Sequence, residues 1–146
     1  MIKRILVAYD DGMVAAKALN TAVELAKSTS AEIYLVSVFS PADLNSFSTE
    51  TYNPKLAQAF NEQSRAHLEK VQTEAVRKVK EDGVNLHTRI EEGKPGEVIS
   101  QIAEELKVDL IVMGSHNRGA LGRFLMGSVS NYVLQNTYIP VLIVKG

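Results

Sequence analysis

Short runs of apolar residues, separated by segments of helical periodicity, constrain this chain more than any other feature. Ile5-Leu6-Val7-Ala8, Leu110-Ile111-Val112-Met113 and Val141-Leu142-Ile143-Val144 are unbroken, and Ala31 to Phe39 is nearly so, with Ile33, Tyr34, Leu35, Val36, Val38 and Phe39. A strand with one wet face alternates apolar and polar residues. A run apolar at every position suits a strand buried on both faces, the habit of parallel sheets covered by helices. The first run stops at Asp10-Asp11-Gly12, and a weaker strand is expected from Val84 to Ile90.

Between the strands the period changes to that of a helix. Ala15, Leu19, Ala22, Val23 and Ala26 place a first helix at 13 to 29, with Asp11 as its expected cap. Residues 40 to 52 carry neither period and are rich in turn formers, so they read as a loop. Asn53-Pro54 opens a long second helix whose stripe of Leu56, Phe60, Leu68, Val71, Ala75 and Val79 runs as far as Gly83. A turn at Gly93-Lys94-Pro95-Gly96 precedes a third helix with Val98, Ile99, Ile102, Ala103 and Leu106, and a fourth fits only from Gly127 to about Asn136. The expected architecture is α/β, a doubly wound sheet of five parallel strands with helices on both faces. Ligands of such sheets lie beyond the carboxyl ends of the strands, where the winding reverses. The places to inspect are Asp10, Val38 and Gly114.

Length and charge narrow the function. The 146 residues at 16.0 kDa suit one domain, 1–146. Sixteen Lys and Arg against seventeen Asp and Glu leave a net charge of −1, so no global field favours nucleic acid or anionic lipid. The absence of cysteine removes thiolate nucleophiles, disulfides and cysteine-ligated metal centres. The opening apolar run is too short for a signal peptide, and no stretch approaches the ~18 apolar residues of a membrane span. A cytoplasmic protein is expected.

The segment after the fourth apolar run, Gly114 to Ser130, holds four glycines and several small hydroxyl residues. Glycine allows close approach of backbone N–H groups to an anion. A helix starting at Gly127-Ser128 adds unpaired donors and the positive end of its dipole. The same composition also suits a plain surface loop with a serine cap. Neither a Walker motif nor a G-x-G-x-x-G after the first strand is present.

Taken together, the opening Ile5 to Asp10, Gly93-Lys94-Pro95-Gly96-Glu97-Val98-Ile99, Asp109 to Gly114 and Pro140 to Val144 resemble the universal stress protein family. The loop is similar to that of its nucleotide-binding branch, marked by G-x2-G-x9-G-[ST]: Gly114, then Asn117, then nine residues, then Gly127-Ser128. The resemblance covers essentially 1 to 146. It implies a Rossmann-like fold of the adenine nucleotide alpha hydrolase type and a site for ATP; Mg²⁺ could accompany the nucleotide, held largely by phosphates and water, since the sequence shows no dedicated metal cage. By motif position, Asp10 with its neighbours Ala8 and Tyr9, and the backbone at Val38, would hold the adenosine end. Met113, Gly114, His116, Asn117, Gly127, Ser128, Val129 and Ser130 would line the ribose and phosphates. Asn117 departs from the motif, which has glycine there. If that glycine serves a positive-φ turn, asparagine can replace it; if it serves close backbone approach, the side chain obstructs.

The remaining candidates have simpler readings beside the functional ones. Asp10 also suits a turn or a helix cap. Arg118 and Arg123 could neutralise phosphate or be solvated. His67 and His87 read as structural, and no metal-ligand spacing joins them to His116. Three functions follow: an ATP-binding stress-response module with little or no turnover, an interaction protein of the same fold without nucleotide, and a slow ATP hydrolase, for which no general base is evident outside the loop. The first is preferred. The resemblance also puts the fifth strand at a sheet edge, with no residue after Gly146 to cover it. A homodimer pairing strand 140–145 with its copy is therefore expected.

Overall fold

The computed structural model of the chain describes residues 1–10, 12–42, 53–115 and 127–146. Its strands are β1 (Arg4–Ala8), β2 (Glu32–Phe39), β3 (Leu86–Glu92), β4 (Leu110–Gly114) and β5 (Val141–Val144). The helices are α1 (Met13–Thr29), α2 (Pro54–Val79), α3 (Pro95–Glu105) and α4 (Ser128–Asn136), with a 3-10 turn at Lys80–Asp82 closing α2. All strand pairs are parallel, in the order β3-β2-β1-β4-β5. The chain winds outward from β1 to β3, then crosses back to β4 and continues to β5. The winding therefore reverses between β1 and β4.

The unbroken apolar runs are explained by two cores. Ile5, Val7, Ile33, Leu35 and Val112 pack on one face against Ala18, Leu19, Ala22, Val23 and Ala26 of α1 and Ala75 and Val79 of α2. Leu6, Val36, Ile111 and Met113 pack on the other against Ile99, Ile102 and Ala103 of α3 and Val133 of α4. Successive residues thus enter opposite cores. Each fully buried aliphatic side chain contributes roughly 1.5–3 kcal/mol.

Several boundaries differ from expectation. The α1 cap is Gly12, whose backbone is extended, rather than Asp11; Asp11 itself lies outside the described residues. Most of the expected loop at 40 to 52 lies outside them too. β3 starts at Leu86, because its extent is set by the ladder from Ile33↔Leu86 to Phe39↔Glu92 and not by its own apolar content. Helix α2 begins as expected, with the Asn53 side chain accepting from the Lys55 N–H and Pro54 in the first turn. Its inward stripe keeps Leu68, Ala75 and Val79 of the predicted one but departs from it in the first turns. Phe60, read as core, is 50% exposed and Leu56 53% exposed, whereas Ala57, Leu68, Gln72, Ala75 and Val79 are buried. Leu56 and Phe60 lie one residue, about 100° of helical turn, from the buried row.

Candidate functional site

A helix that returns the chain between parallel strands runs against them, so it starts at the strands' carboxyl ends. α1 and α4 both start there, after β1 and β4, the strands that flank the reversal. Each is capped by a glycine that supplies no side-chain acceptor, Gly12 for α1 and Gly127 for α4. The first N–H groups of a helix have no partner within it. At α4 these belong to Ser128, Val129 and Ser130. Gly127 is buried, Ser128 exposed, Val129 half-buried and Ser130 buried. Ser130 donates its hydroxyl back to the Gly127 carbonyl at 3.1 Å, and Asn131 N–H reaches the same carbonyl at 2.9 Å. The cap is thereby held, and among the described residues no side chain accepts from the amides of Ser128, Val129 and Ser130. This donor set suits an anion.

At the β1 end, Ala8 pairs with Val36 in register, and Tyr9 N–H donates to the Val36 carbonyl at 2.8 Å. The Tyr9 carbonyl accepts from the Ser37 hydroxyl at 2.6 Å. Asp10 is exposed, and its Oδ1 accepts from the Gly12 N–H at 2.8 Å. That bond makes Asp10 a turn former as well as a candidate ligand group. Burial, reinforced by the Asp10 carboxylate, pushes the Tyr9 phenol above its ordinary value, so the ring stays neutral at physiological pH. Val38, half-buried in β2, pairs with Glu91.

At the β4 end, Met113 is buried in the α3–α4 core, and Gly114 pairs with Val144. The glycine at 114 has a packing reason independent of any ligand. A Cβ there would stand 2.6 Å from Val14 Cγ1 and 3.2 Å from the Val14 backbone carbon, so α1 could not pack as closely. His116 and Asn117, like Arg118 and Arg123, lie outside the described residues. The described candidates are thus brought to one end of the sheet by β1, β2, β4 and the start of α4. His67 and His87 are elsewhere, on α2 and β3. Two residues that the sequence did not single out, Ser37 and Gln72, are bonded to each other behind these strand ends. Their signal was a polar residue inside an apolar strand and one on the inward row of a helix.

Among the described residues no group of three or more His, Asp or Glu side chains could hold a metal ion. Among them, too, no helix is long and apolar enough to cross a membrane.

Comparison with known proteins agrees with this architecture. The profile of the universal stress protein family matches residues 1–145. A universal stress protein of Methanocaldococcus jannaschii is 34% identical over 145 residues, covering 99% of this chain and 83% of the relative. Among solved structures, universal stress protein UspA from Lactobacillus plantarum superposes with a TM-score of 0.83 at 23% identity, over 98% of this chain and 97% of the other. A universal stress protein in complex with cAMP gives 0.70 at 23% identity, over 98% and 97%. One from Archaeoglobus fulgidus in complex with dAMP gives 0.69 at 19% identity, over 99% and 98%. At these identities the structural likeness establishes the fold.

Proposed function

Because this chain belongs to the universal stress protein family, we propose that it is a cytoplasmic, homodimeric stress-response module that binds ATP with little or no turnover. One observation carries the reading. The start of α4 is capped by a buried glycine and offers its first amides at the carboxyl end of the sheet, beside the winding reversal. Backbone donors so arranged bind phosphate without any side chain of their own. Nucleotides in two proteins of the same fold, cAMP in one and dAMP in the other, support an adenine ligand.

In this reading Ala8, Tyr9 and Asp10 with the Val38 backbone take the adenosine end. The exposed Asp10 carboxylate is an acceptor for ribose hydroxyls, and the neutral Tyr9 ring adds no charge to the nucleoside pocket. Met113, Gly114, Gly127, Ser128, Val129 and Ser130, with His116 and Asn117, line the ribose and phosphates. Mg²⁺ would enter on the phosphate oxygens, completed by water. Among the residues assigned to the site, Asp10 alone is a carboxylate, and it is already engaged by Gly12. Its role here is holding rather than proton transfer.

Mass analysis of nucleotide released by heating freshly purified protein tests the proposal. An adenine nucleotide near one per chain is expected. Its absence, together with no calorimetric heat on adding ATP and Mg²⁺, would leave an interaction protein of the same fold.

A further inference from the structure

Behind the β1 and β2 ends lies a buried polar chain that begins in α2. Gln72, 4% exposed, directs its Nε2 to the Ser37 hydroxyl oxygen at 3.0 Å, to the Arg89 carbonyl at 2.9 Å and to the Leu35 carbonyl at 3.4 Å. The two carbonyls settle which way the amide faces, since its oxygen would repel both. The two amide hydrogens serve the shorter contacts, to Arg89 and Ser37, with the Leu35 carbonyl a longer, shared one; Ser37, 1% exposed, therefore accepts from Gln72, which leaves its own proton for the Tyr9 carbonyl at 2.6 Å. The direction of every bond is fixed. Asp10 follows Tyr9 and Val38 follows Ser37, so this hydrogen bond adds a side-chain tie, beyond the Tyr9 N–H bond to the Val36 carbonyl, between the two backbone segments assigned to the adenosine end.

We infer that Gln72 and Ser37 are positioning residues for nucleotide binding: they lock the Tyr9 carbonyl to β2 and so hold Asp10 and Val38 at the spacing the nucleoside needs. The inference rests on the nucleotide reading above. A buried serine in a strand could have satisfied its hydroxyl on its own backbone. Here it is turned across to the neighbouring strand by a donor from a helix that contributes none of the assigned ligand contacts. Preorganisation of this kind reduces the ordering cost of binding.

The test compares Ser37→Ala and Gln72→Met with Ser100→Ala. Ser100 is also a buried serine, bonded to the Gly96 carbonyl at 2.9 Å within α3, and takes no part in the chain from Gln72 through Ser37 to Tyr9. ATP affinity is measured by calorimetry on nucleotide-stripped full-length protein. The Gly12 amide, which reports the Asp10 carboxylate through its 2.8 Å bond, is followed by ¹H–¹⁵N NMR without ligand. Ser37→Ala should weaken ATP binding about tenfold, ~1.4 kcal/mol, and shift the Gly12 amide. Gln72→Met should act in the same direction by about threefold, because the serine keeps its proton but loses its orientation. Ser100→Ala should change neither. The inference is overturned if Ser37→Ala binds within about twofold of the parent with an unmoved Gly12 amide, or if Ser100→Ala shifts both as far. Should Ser37→Ala fail to fold, Gln72→Met decides by the same readouts. If the parent binds no ATP, the nucleotide reading falls. The Gly12 amide then decides alone: shifts in Ser37→Ala and Gln72→Met but not in Ser100→Ala uphold the relay, and unmoved amides overturn it.

Discussion

At the scale of single residues, the two glycines at 114 and 127 that end the glycine-rich segment differ in their physical reasons. Gly114 is packed against Val14, with 2.6 Å from the position of a Cβ to Val14 Cγ1. Gly114→Ala should cost about 1–3 kcal/mol by overpacking. Adding Val14→Ala should recover part of that, since it removes the Cγ1 atom while the backbone contact at 3.2 Å remains. Urea denaturation of the two single variants and the double variant measures the coupling. Strict additivity would remove Val14 from the explanation. Gly127 has φ −71° and ψ 160°, an extended conformation open to any residue. Gly127→Val is therefore free of backbone strain but adds bulk at a buried position; it is expected to fold with a loss of about 1–3 kcal/mol, and to lose nucleotide binding through the bulk it adds beside the α4 amides. Circular dichroism and ATP calorimetry check the two halves. Unchanged affinity in a folded variant would remove this segment from the site.

At the scale of elements, α2 shows how far an apolar stripe can mislead. Leu56 and Phe60 share helical spacing with the core residues Leu68, Ala75 and Val79 but sit half exposed, one position off the buried row. Phe60→Ser should therefore change stability by no more than about 0.5 kcal/mol. Leu68→Ala, 8% exposed in the parent, should cost about 2–5 kcal/mol. Equal losses in the two variants would mean that Phe60 belongs to the core after all.

The amino ends of β1 and β4 are tied by a different device. Asp109 Oδ2 accepts from the Lys3 N–H at 2.8 Å and the Arg4 N–H at 3.0 Å, and these bonds hold its carboxyl below the ordinary aspartate value. A depressed folded-state value stabilises the fold fully above the unfolded value, about 3.9, and the effect is lost as pH falls through the folded one. Asp109→Ala should be less stable than the parent by about 1 kcal/mol at neutral pH, a figure already reduced for solvent screening. The gap should close in strong acid. Denaturation at both pH values tests this, and a gap independent of pH would remove the charge from the explanation.

At the scale of the whole molecule, the two sheet edges are unlike. β3 carries His87, Thr88, Arg89, Glu91 and Glu92, polar and charged groups that discourage pairing with another strand. β5 is Val141-Leu142-Ile143-Val144, with Leu142 36% exposed. A two-fold pairing of β5 with its copy would satisfy an apolar edge that charge does not guard. Light scattering at low micromolar concentration is expected to give about twice 16.0 kDa, and Leu142→Lys to halve it. A parent monomer would exclude this interface.

The sequence by itself determined the architecture and the end of the sheet to inspect. Runs apolar at every position can be buried only between two covering layers, and helical segments between them leave a parallel, doubly wound sheet. The carboxyl-end rule then named Asp10, Val38 and Gly114 before any contact was visible. Tertiary structure alone decided that Leu56 and Phe60 leave the inward row of α2, where β3 begins, why residue 114 is glycine and which partners Ser37 and Gln72 bond. Each of these depends on a partner distant in the chain: the sheet under α2, the ladder of β2, Val14 on α1 and the Tyr9 carbonyl. Local periodicity records which residues prefer burial. It does not record which neighbour each one meets, because that is set only when the layers close on one another.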